Sequence, residues 1–180
     1  IKMQESLDLL RQSWQAEGDR WPEIVHHMQN RIGISSGQMV TGNMGSEARM
    51  NYTMMGDNVN TAARLESSAK QYGVYIQIAN STYEPVKDRM VVRDLDNVVV
   101  MGKNEPVKVW ELISEVGKEP EKYKKILPAY HEALDLYKNQ EWEKAIEAFK
   151  ASDSLEDMFS GRKTNPSRIY IPRCEHFMAN

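Results

Sequence analysis

A glycine-aspartate break between an extended run and a helix-forming run constrains this chain more than any other feature. Residues 52–66 read YTMMGDNVNTAARLE, so Gly56 and Asp57 mark a strand-to-helix turn. Asn60 and Arg64 lie four residues apart and therefore share one helix face. An amide and a guanidinium near the positive end of a helix suit a bound phosphate ester. The segment predicts a strand, a tight turn and a helix that carries an anion-binding face.

Hydrophobic periodicity predicts that helices and strands are mixed on both sides of this turn. Helices are predicted over 1–16, from Asp57 or Asn58 as the N-cap to about Tyr72, and over 81–87. Strands are predicted over 31–35, 49–55, 74–78, 91–101 and 107–113. Gly73 is the stop residue of the central helix, and Ser81 with Glu84 forms a capping-box pattern. The expected fold class is α+β.

A change of composition around Pro120 predicts a second unit. The predicted division is a first domain at 1–114, a linker at 115–122, a helical hairpin at 123–152 and an irregular tail at 153–180. In the hairpin, Tyr130, Ala133, Leu134 and Tyr137 have the spacing of one helix face, and Trp142, Ala145, Ile146 and Phe149 repeat it. The pattern resembles one tetratricopeptide-type repeat. Because a single repeat cannot bury its apolar face, it is expected to pack on the first domain, a partner protein or further repeats outside this chain.

Composition excludes some functions. The net charge of −3 does not indicate nucleic-acid binding, and no apolar run approaches the length of a membrane span. One cysteine, Cys174, cannot form an internal disulfide, and no signal peptide is found, so a cytoplasmic location is expected. The chain begins at Ile1 inside a helical stripe without a capping signal, which indicates a fragment of a longer protein. Membrane anchoring elsewhere in that protein stays open.

The central segment is not the only stretch with a familiar pattern. Together with RIGISSG at 31–37, GNMG at 42–45 and VKVWELI at 107–113, it resembles the catalytic domain of the class III nucleotidyl cyclases, the adenylate and guanylate cyclases. The resemblance implies a ferredoxin-like α/β sandwich whose N-terminal part is missing here, followed by the helical hairpin. It implies a homodimer with sites at the interface. The implied activity is conversion of ATP to 3′,5′-cyclic AMP and pyrophosphate in intracellular signalling, by metal-assisted phosphoryl transfer.

The resemblance assigns roles to individual residues. Asn60 and Arg64 take the catalytic positions, with Asn60 on the ribose and Arg64 on phosphate oxygens. Thr53 takes the base-reading position, where its hydroxyl can accept from the adenine amino group. The remaining substrate-binding positions are Met54, Val59 and Lys103. The alternative readings are structural: Arg64 pairs with Glu66 or a nearby carboxylate on a solvated helix face, and Thr53 fills a strand.

Two departures from the family pattern limit the expected activity. The family holds two divalent ions, Mg²⁺ or Mn²⁺, with two aspartates, and nothing before Arg31 matches those elements. Met101 replaces a lysine that family members often carry before the Lys103 position. This chain is therefore expected to be inactive alone, with the metal ligands elsewhere. A non-catalytic dimerisation or regulatory module, and a guanylate cyclase, stay as alternatives.

Overall fold

A computed structural model describes residues 1–99, 106–157 and 162–179 of the chain. Its helices are α1 Lys2–Ala16, α2 Glu23–His26, α3 Asp57–Tyr72, α4 Asn80–Tyr83, α5 Tyr123–Lys138, α6 Trp142–Ser154 and α7 Pro166–Ala179. Its strands are β1 Ile32–Ile34, β2 Val40–Ser46, β3 Arg49–Met55, β4 Ile76–Ala79, β5 Met90–Val98 and β6 Val107–Glu115. Short 3₁₀ turns lie at Gly18–Arg20 and Glu84–Val86. The mixed α+β class predicted from the sequence is confirmed.

Four strands form one sheet in the order β1-β4-β6-β5. β1 and β4 are parallel, with Ile32 opposite Ile76, and α3 is part of the crossover that parallel neighbours require. The other two pairings are antiparallel. The apolar face of α3 covers this sheet through a buried cluster that contains Leu65, Ala69, Tyr72, Val74, Leu95 and Val109. Burial of this face fixes the opposite face of α3 toward solvent.

The backbone of helix α3 lies directly against the backbone of β1 at Gly33. A Cβ added to Gly33 would lie 2.1 Å from the carbonyl oxygen of Ala62 and 2.4 Å from the amide nitrogen of Glu66. No side chain can occupy that space, so glycine allows the strand and the helix to pack directly on each other. The distance between α3 and the sheet is therefore set by two backbones.

The predicted end of α3 is confirmed, whereas its predicted start is wrong. Gly73 caps the C-terminus in the left-handed conformation with φ 64°. At the other end Gly56 is the N-cap, and neither Asp57 nor Asn58 caps the helix through its side chain. The capping box at Ser81 also fails, because α4 begins at Asn80 without a side-chain cap.

The hairpin of β2 and β3 stands apart from the four-stranded sheet. These strands pair only with each other in the described part of the chain, with Gly42 opposite Thr53 and Asn43 opposite Tyr52. Every residue of β3 is exposed, including Tyr52 at 73 % and Met54 at 53 %. The hairpin thus presents apolar side chains on both of its faces.

The C-terminal region contains three helices, one more than predicted. α5 and α6 occupy the predicted hairpin, and α7 packs against α6 where an irregular tail over 153–180 was expected. That expectation is wrong because α7 is held by its packing: Tyr170 stacks on Phe149 at 5.1 Å and meets Tyr137 edge-on at 4.8 Å. The apolar face of the hairpin is therefore covered by the chain itself. Cys174 is buried in the same cluster.

A buried group of charges joins the sheet to the C-terminal helices. Arg93 on β5 is fully buried, and its guanidinium pairs with Glu111 on β6 at 2.6 Å and with Glu156 after α6. The same guanidinium lies over the ring of Tyr130 at 5.1 Å. Arg162 completes the group by pairing with Glu156 at 2.8 Å. The group keeps its charges compensated while it links two parts of the chain.

A second connection holds the C-terminal end of α3. The Tyr72 hydroxyl donates to Asp96 at 2.7 Å, and Arg173 on α7 donates to the same carboxylate oxygen at 2.7 Å. Burial and the Asp96 hydrogen bond together raise the pKa of Tyr72 to about 12, so its hydroxyl stays protonated as a donor at neutral pH. Arg162 donates to the Gly73 carbonyl at 3.1 Å. α3 is thus anchored at the end opposite Asn60.

Candidate functional site

The exposed face of α3 brings the two predicted catalytic residues together. Asn60 and Arg64 are both exposed one turn apart, while Thr61 and Leu65 between and beside them are buried. The sequence dictates this division, because the buried positions follow the helical spacing of the apolar face. The backbone N–H of Asn60 bonds to the Gly56 carbonyl at 3.2 Å, so Asn60 lies at the first hydrogen-bonded turn.

Gly56 makes the turn from β3 into α3. Its φ of 145° is a conformation that side-chain-bearing residues rarely adopt. A Cβ there would lie 3.4 Å from the Cα of Met39, so the adjacent loop is also close. Glycine at this position brings the end of β3 directly onto the N-terminus of α3.

Asn58 supports the first turn of α3 through contacts that the sequence analysis, which considered it only as a cap, did not predict. Its amide nitrogen donates to the Gln38 carbonyl at 3.2 Å, and its amide oxygen accepts from the Ser35 hydroxyl at 3.3 Å. A Cβ at Gly37 would lie 2.0 Å from that amide nitrogen. Asn58 therefore clamps the loop after β1 onto the first turn of α3. The pairing of Gly37 with an amide 21 positions later in the sequence gives no local signal from which to predict it.

Thr53 and Met54 lie on opposite faces of the hairpin. Successive side chains of a strand alternate, so Thr53 shares its face with Gly42 across the ladder, while Met54 shares its face with Tyr52. A Cβ on Gly42 would meet nothing within 4 Å, which leaves open space beside Thr53. Gly45, in contrast, allows a close backbone approach, since a Cβ there would lie 2.1 Å from the Arg49 carbonyl.

The remaining predicted residues are Val59 and Lys103, together with Glu66 as the alternative partner of Arg64. Val59 lies half-buried in the first turn of α3, next to Asn60. Lys103, and Met101 with it, lie outside the described residues. Glu66, which the alternative reading offered as a partner of Arg64, pairs with Arg31 at 3.2 Å.

The described residues contain no group of three or more side chains that could hold a metal ion. The exposed face of α3 offers an amide and a guanidinium but no carboxylate at the two predicted positions, and the guanidinium binds oxyanions. The residues present therefore do not fit the pair of metal ions that the family resemblance implies. None of the helices in the described ranges is long and apolar enough to cross a membrane.

The arrangement is suited to holding a phosphate ester with a heterocycle close by. Arg64 provides a permanently charged, forked donor, Asn60 an amide one turn before it, and Thr53 a hydroxyl on the strand that leads into the helix. Phosphoryl transfer needs such positioning and charge stabilisation more than covalent help from the protein.

Comparison with protein families places most of the chain in a described domain family. Residues 3–114 match the model described as the adenylate and guanylate cyclase catalytic domain. This range covers α1 to the last strand, β6, and ends before the three C-terminal helices.

Relatives and solved structures agree with that match. The chain is 34 % identical over 178 residues to the terminal-differentiation-specific adenylate cyclase of Dictyostelium discoideum, covering 97 % of this chain and 8 % of that protein. It is 30 % identical over 116 residues to adenylate cyclase 1 of Rhizobium meliloti, covering 64 % of this chain and 16 % of that protein. The adenylyl cyclase CyaB from P. aeruginosa superposes with a TM-score of 0.53 at 32 % identity, over 67 % of this chain and 58 % of that one. The chain thus spans a small part of the curated relatives' length.

Proposed function

This chain belongs to the family of adenylate and guanylate cyclase catalytic domains, and on that premise we propose that it forms the nucleotide-positioning part of an adenylate cyclase. The substrate is ATP, and the reaction forms 3′,5′-cyclic AMP and pyrophosphate for intracellular signalling. Two of its relatives, from Dictyostelium discoideum and Rhizobium meliloti, are named adenylate cyclases. The observation that carries the proposal is the shared exposed face of Asn60 and Arg64 directly after the Thr53 strand.

The chemical roles follow from the donors. Cyclisation joins the 3′ oxygen of the ribose to the α-phosphorus and expels pyrophosphate, so negative charge is redistributed over phosphate oxygens. Arg64 stabilises that charge with a guanidinium that needs no proton transfer. Asn60 orients the ribose by hydrogen bonding, which keeps the 3′ oxygen near the phosphorus.

Thr53 is the residue that selects the base. Its hydroxyl can accept from the 6-amino group of adenine and lies beside the open space over Gly42. Met54, on the other face of the strand, contributes backbone to the site and not side chain. Val59 supports the first turn of α3 from its half-buried position.

The exposed hairpin is the surface through which two copies associate. Met50, Tyr52 and Met54 form one face of β3 with exposures of 61, 73 and 53 %, and contiguous apolar side chains of this kind mark interaction sites. We propose a homodimer in which this surface is buried. In such a dimer one protomer contributes the Asn60 and Arg64 face and the other completes the site.

Metal ions enter this proposal only through residues outside the described part of the chain. Mg²⁺ or Mn²⁺ would neutralise the triphosphate and activate the 3′ hydroxyl. Because the described residues contain no group of three or more side chains that could hold a metal ion, we expect this chain alone to bind ATP weakly and to turn it over poorly, if at all.

The first test separates binding from turnover. Calorimetry with ATP and GTP is run on the chain, on Arg64→Ala and on Arg89→Ala, a matched exposed arginine away from α3. We expect ATP binding that Arg64→Ala weakens at least about tenfold, the loss of one charge-assisted contact of about 1.5–3 kcal/mol, with Arg89→Ala unchanged. Equal ATP affinity in all three proteins would contradict the role of Arg64.

Cyclic nucleotide formation with Mg²⁺ or Mn²⁺ decides between enzyme and module. The chain alone and a version extended upstream of Ile1 are assayed with both nucleotides. Cyclic AMP from the extended version, lost with Arg64→Ala, supports the cyclase. Silence of the extended version would support the non-catalytic dimerisation or regulatory module, which the lack of a metal group among the described residues favours. Preference for GTP would support the guanylate cyclase.

A further inference from the structure

A cavity lies at the other end of α3 from Asn60 and Arg64. It has a volume of about 400 Å³ and is lined by residues from three places: the segment before β1, the end of α3 with its following turn, and the segment before α7. Lys70 on its rim lies ten residues after Asn60, about 15 Å along a helix that rises about 1.5 Å per residue. This cavity is therefore separate from the nucleotide site. Its volume lies within the range of small-molecule pockets.

The ionisable side chains in its lining include cations and no carboxylate. Arg31, Lys70, Arg162 and Lys163 contribute four positive charges, although the whole chain has a net charge of −3. The carboxylates that pair with two of them, Glu66 and Glu156, do not line the cavity. A cluster of positive charges raises the local concentration of anions, even in a protein whose net charge is negative.

The cations that line this cavity are of two kinds. Arg162 is only 7 % exposed and is held by the Glu156 carboxylate and the Gly73 carbonyl, which it reaches through Nη1 and Nε. Lys70 and Lys163 are exposed and take part in no ion pair within the described ranges. A guanidinium with a fixed orientation and two free ammonium groups suit a phosphate.

The negative end of the α3 dipole explains only part of this charge. One cation near the last carbonyls of a helix is favourable, and Arg162 already occupies that position through its bond to Gly73. Lys163 and Arg31 belong to other segments and donate to no carbonyl of α3 among the bonds found. The rest of the lining is uncharged and consists of Gln29, Gln71, Gly73, Val74, Tyr75 and Thr164. The Gln71 amide and the Thr164 hydroxyl are polar groups within it. Amides and hydroxyls of this kind bind the hydroxyl groups of a sugar.

We propose that this cavity binds a sugar phosphate, with the phosphate between Lys70, Lys163 and Arg162 and the sugar against Gln71 and Thr164. The site connects α3, which carries Asn60 and Arg64, to the segment that leads into α7. Its occupant therefore bridges the first domain and the C-terminal helices. Because the ligand binds only the folded chain, it stabilises the fold in proportion to its occupancy.

The test uses ribose 5-phosphate and inorganic phosphate as probes at low ionic strength. Calorimetry and thermal unfolding are measured on the chain, on Lys70→Glu/Lys163→Glu and on Lys2→Glu/Lys125→Glu. The last variant carries the same change in net charge at exposed lysines outside this cavity. Arg64→Ala provides the fourth protein, in which the nucleotide site is weakened and this cavity is intact.

We expect ribose 5-phosphate to bind at least tenfold more tightly than phosphate and to raise Tm in the chain, in Lys2→Glu/Lys125→Glu and in Arg64→Ala. The Lys70→Glu/Lys163→Glu variant should lose both effects while keeping the Tm of the ligand-free chain. Loss in Arg64→Ala with retention in Lys70→Glu/Lys163→Glu would overturn the proposal, because binding would then belong to the nucleotide site. Absence of binding at millimolar probe, or equal affinity for both probes, would overturn it as well. The proposal does not depend on cyclase activity.

Discussion

The β2–β3 hairpin and the three C-terminal helices contain similar side chains in opposite surroundings. Tyr130, Phe149 and Tyr170 of the helices are at most 3 % exposed, whereas Tyr52 on the hairpin is 73 % exposed. The helices cover one another and are joined to the sheet by buried charges. The hairpin is left uncovered next to the residues that bind nucleotide in our proposal. In our proposal, stability and function are thus concentrated in different regions.

This difference teaches that an apolar pattern predicts that a surface is covered but does not identify what covers it. The apolar stripe of α5 and α6 predicted a missing partner, and the chain provided α7. The sequence predicted a strand over 49–55, and the described part of the chain provides no cover for the apolar residues of β3. Substitutions in the C-terminal helices should therefore reduce stability, whereas substitutions in the β2–β3 hairpin should reduce association.

The largest effect is expected when Arg93 is replaced by methionine. The change leaves the Glu111 and Glu156 carboxylates buried without the guanidinium between them, and breaking a buried pair in this way costs about 3–5 kcal/mol. Urea unfolding measures the loss. Arg168→Met is the matched control, because its pair with Asp153 is partly exposed and should contribute less than about 1 kcal/mol. Equal losses in both variants would mean that the buried group does not hold the two regions together.

Two glycines with similar positive φ angles test how closely the segment before α7 packs on the end of α3. Gly73 and Gly117 have φ of 64° and 81°, but a Cβ on Gly73 would lie 1.9 Å from the Thr164 carbonyl and one on Gly117 would meet nothing within 4 Å. Alanine costs about 1–2 kcal/mol at either position for its backbone conformation. We expect Gly73→Ala to cost about 1–3 kcal/mol more, the usual range for overpacking. Similar melting temperatures for the two variants would rule out a rigid contact.

Acid should weaken the buried ion pairs of Glu156, which join the sheet to the C-terminal helices. Burial opposes ionisation of Glu156, but Arg93 and Arg162 outweigh it and hold the pKa of Glu156 below its ordinary value of 4.5. The folded state therefore binds this proton less readily than the unfolded state. Its contribution to stability is complete above about pH 4.5 and is lost as the pH falls through the lower folded value.

Glu156→Gln provides the comparison for this pH dependence. The variant should be less stable at neutral pH and should lose less stability between neutral pH and pH 3, as measured by urea unfolding at each pH. Glu147→Gln, at an exposed carboxylate paired with Lys150, should keep the slope of the unmodified chain. Parallel curves for Glu156→Gln and the unmodified chain would exclude Glu156 as a source of the acid sensitivity.

The smallest effect on stability is expected on the hairpin. Tyr52→Ala and Met54→Ala remove side chains that are largely exposed, so the free energy of unfolding of the monomer should change by less than about 0.5 kcal/mol. The dissociation constant of the dimer should instead rise at least tenfold, as measured by sedimentation. Leu155→Ala, at an exposed apolar residue of the C-terminal region, should leave association unchanged. A dimer unaffected by both hairpin variants would place the interface elsewhere.

The elements of the first domain could be predicted because their signals are local. The spacing of Thr61, Leu65, Ala69 and Tyr72 and the stop at Gly73 fix the course of α3. The local signal for α7 is weakened by Pro172, which lies inside the helix and removes a backbone donor. Its Ile169, Tyr170, Arg173 and Cys174 do have helical spacing, and that stripe could have revealed it. The packing of Tyr170 overrides the local preference.

The candidate site, like the first domain, could be predicted where its signals are local. The motif placed Asn60 and Arg64 on one exposed face, as the structure does. The clamp by Asn58 and the close approach of Gly33 to α3 depend on residues far apart in the sequence. The cavity beyond Gly73 depends on three separate segments. Relations of this kind arise from tertiary packing, which spacing within one segment does not encode.

The buried guanidinium of Arg93 also determines where this polypeptide can be cut. The family match ends at residue 114, before α5, and a fragment trimmed to that limit would keep Arg93 and Glu111 while discarding Glu156 and Tyr130. Such a fragment would expose the side of the sheet that the helices cover and leave a strand face prone to aggregation. The limit of the family match is in this case not a boundary of folding. Expression of this domain should therefore keep the chain through at least Ala179.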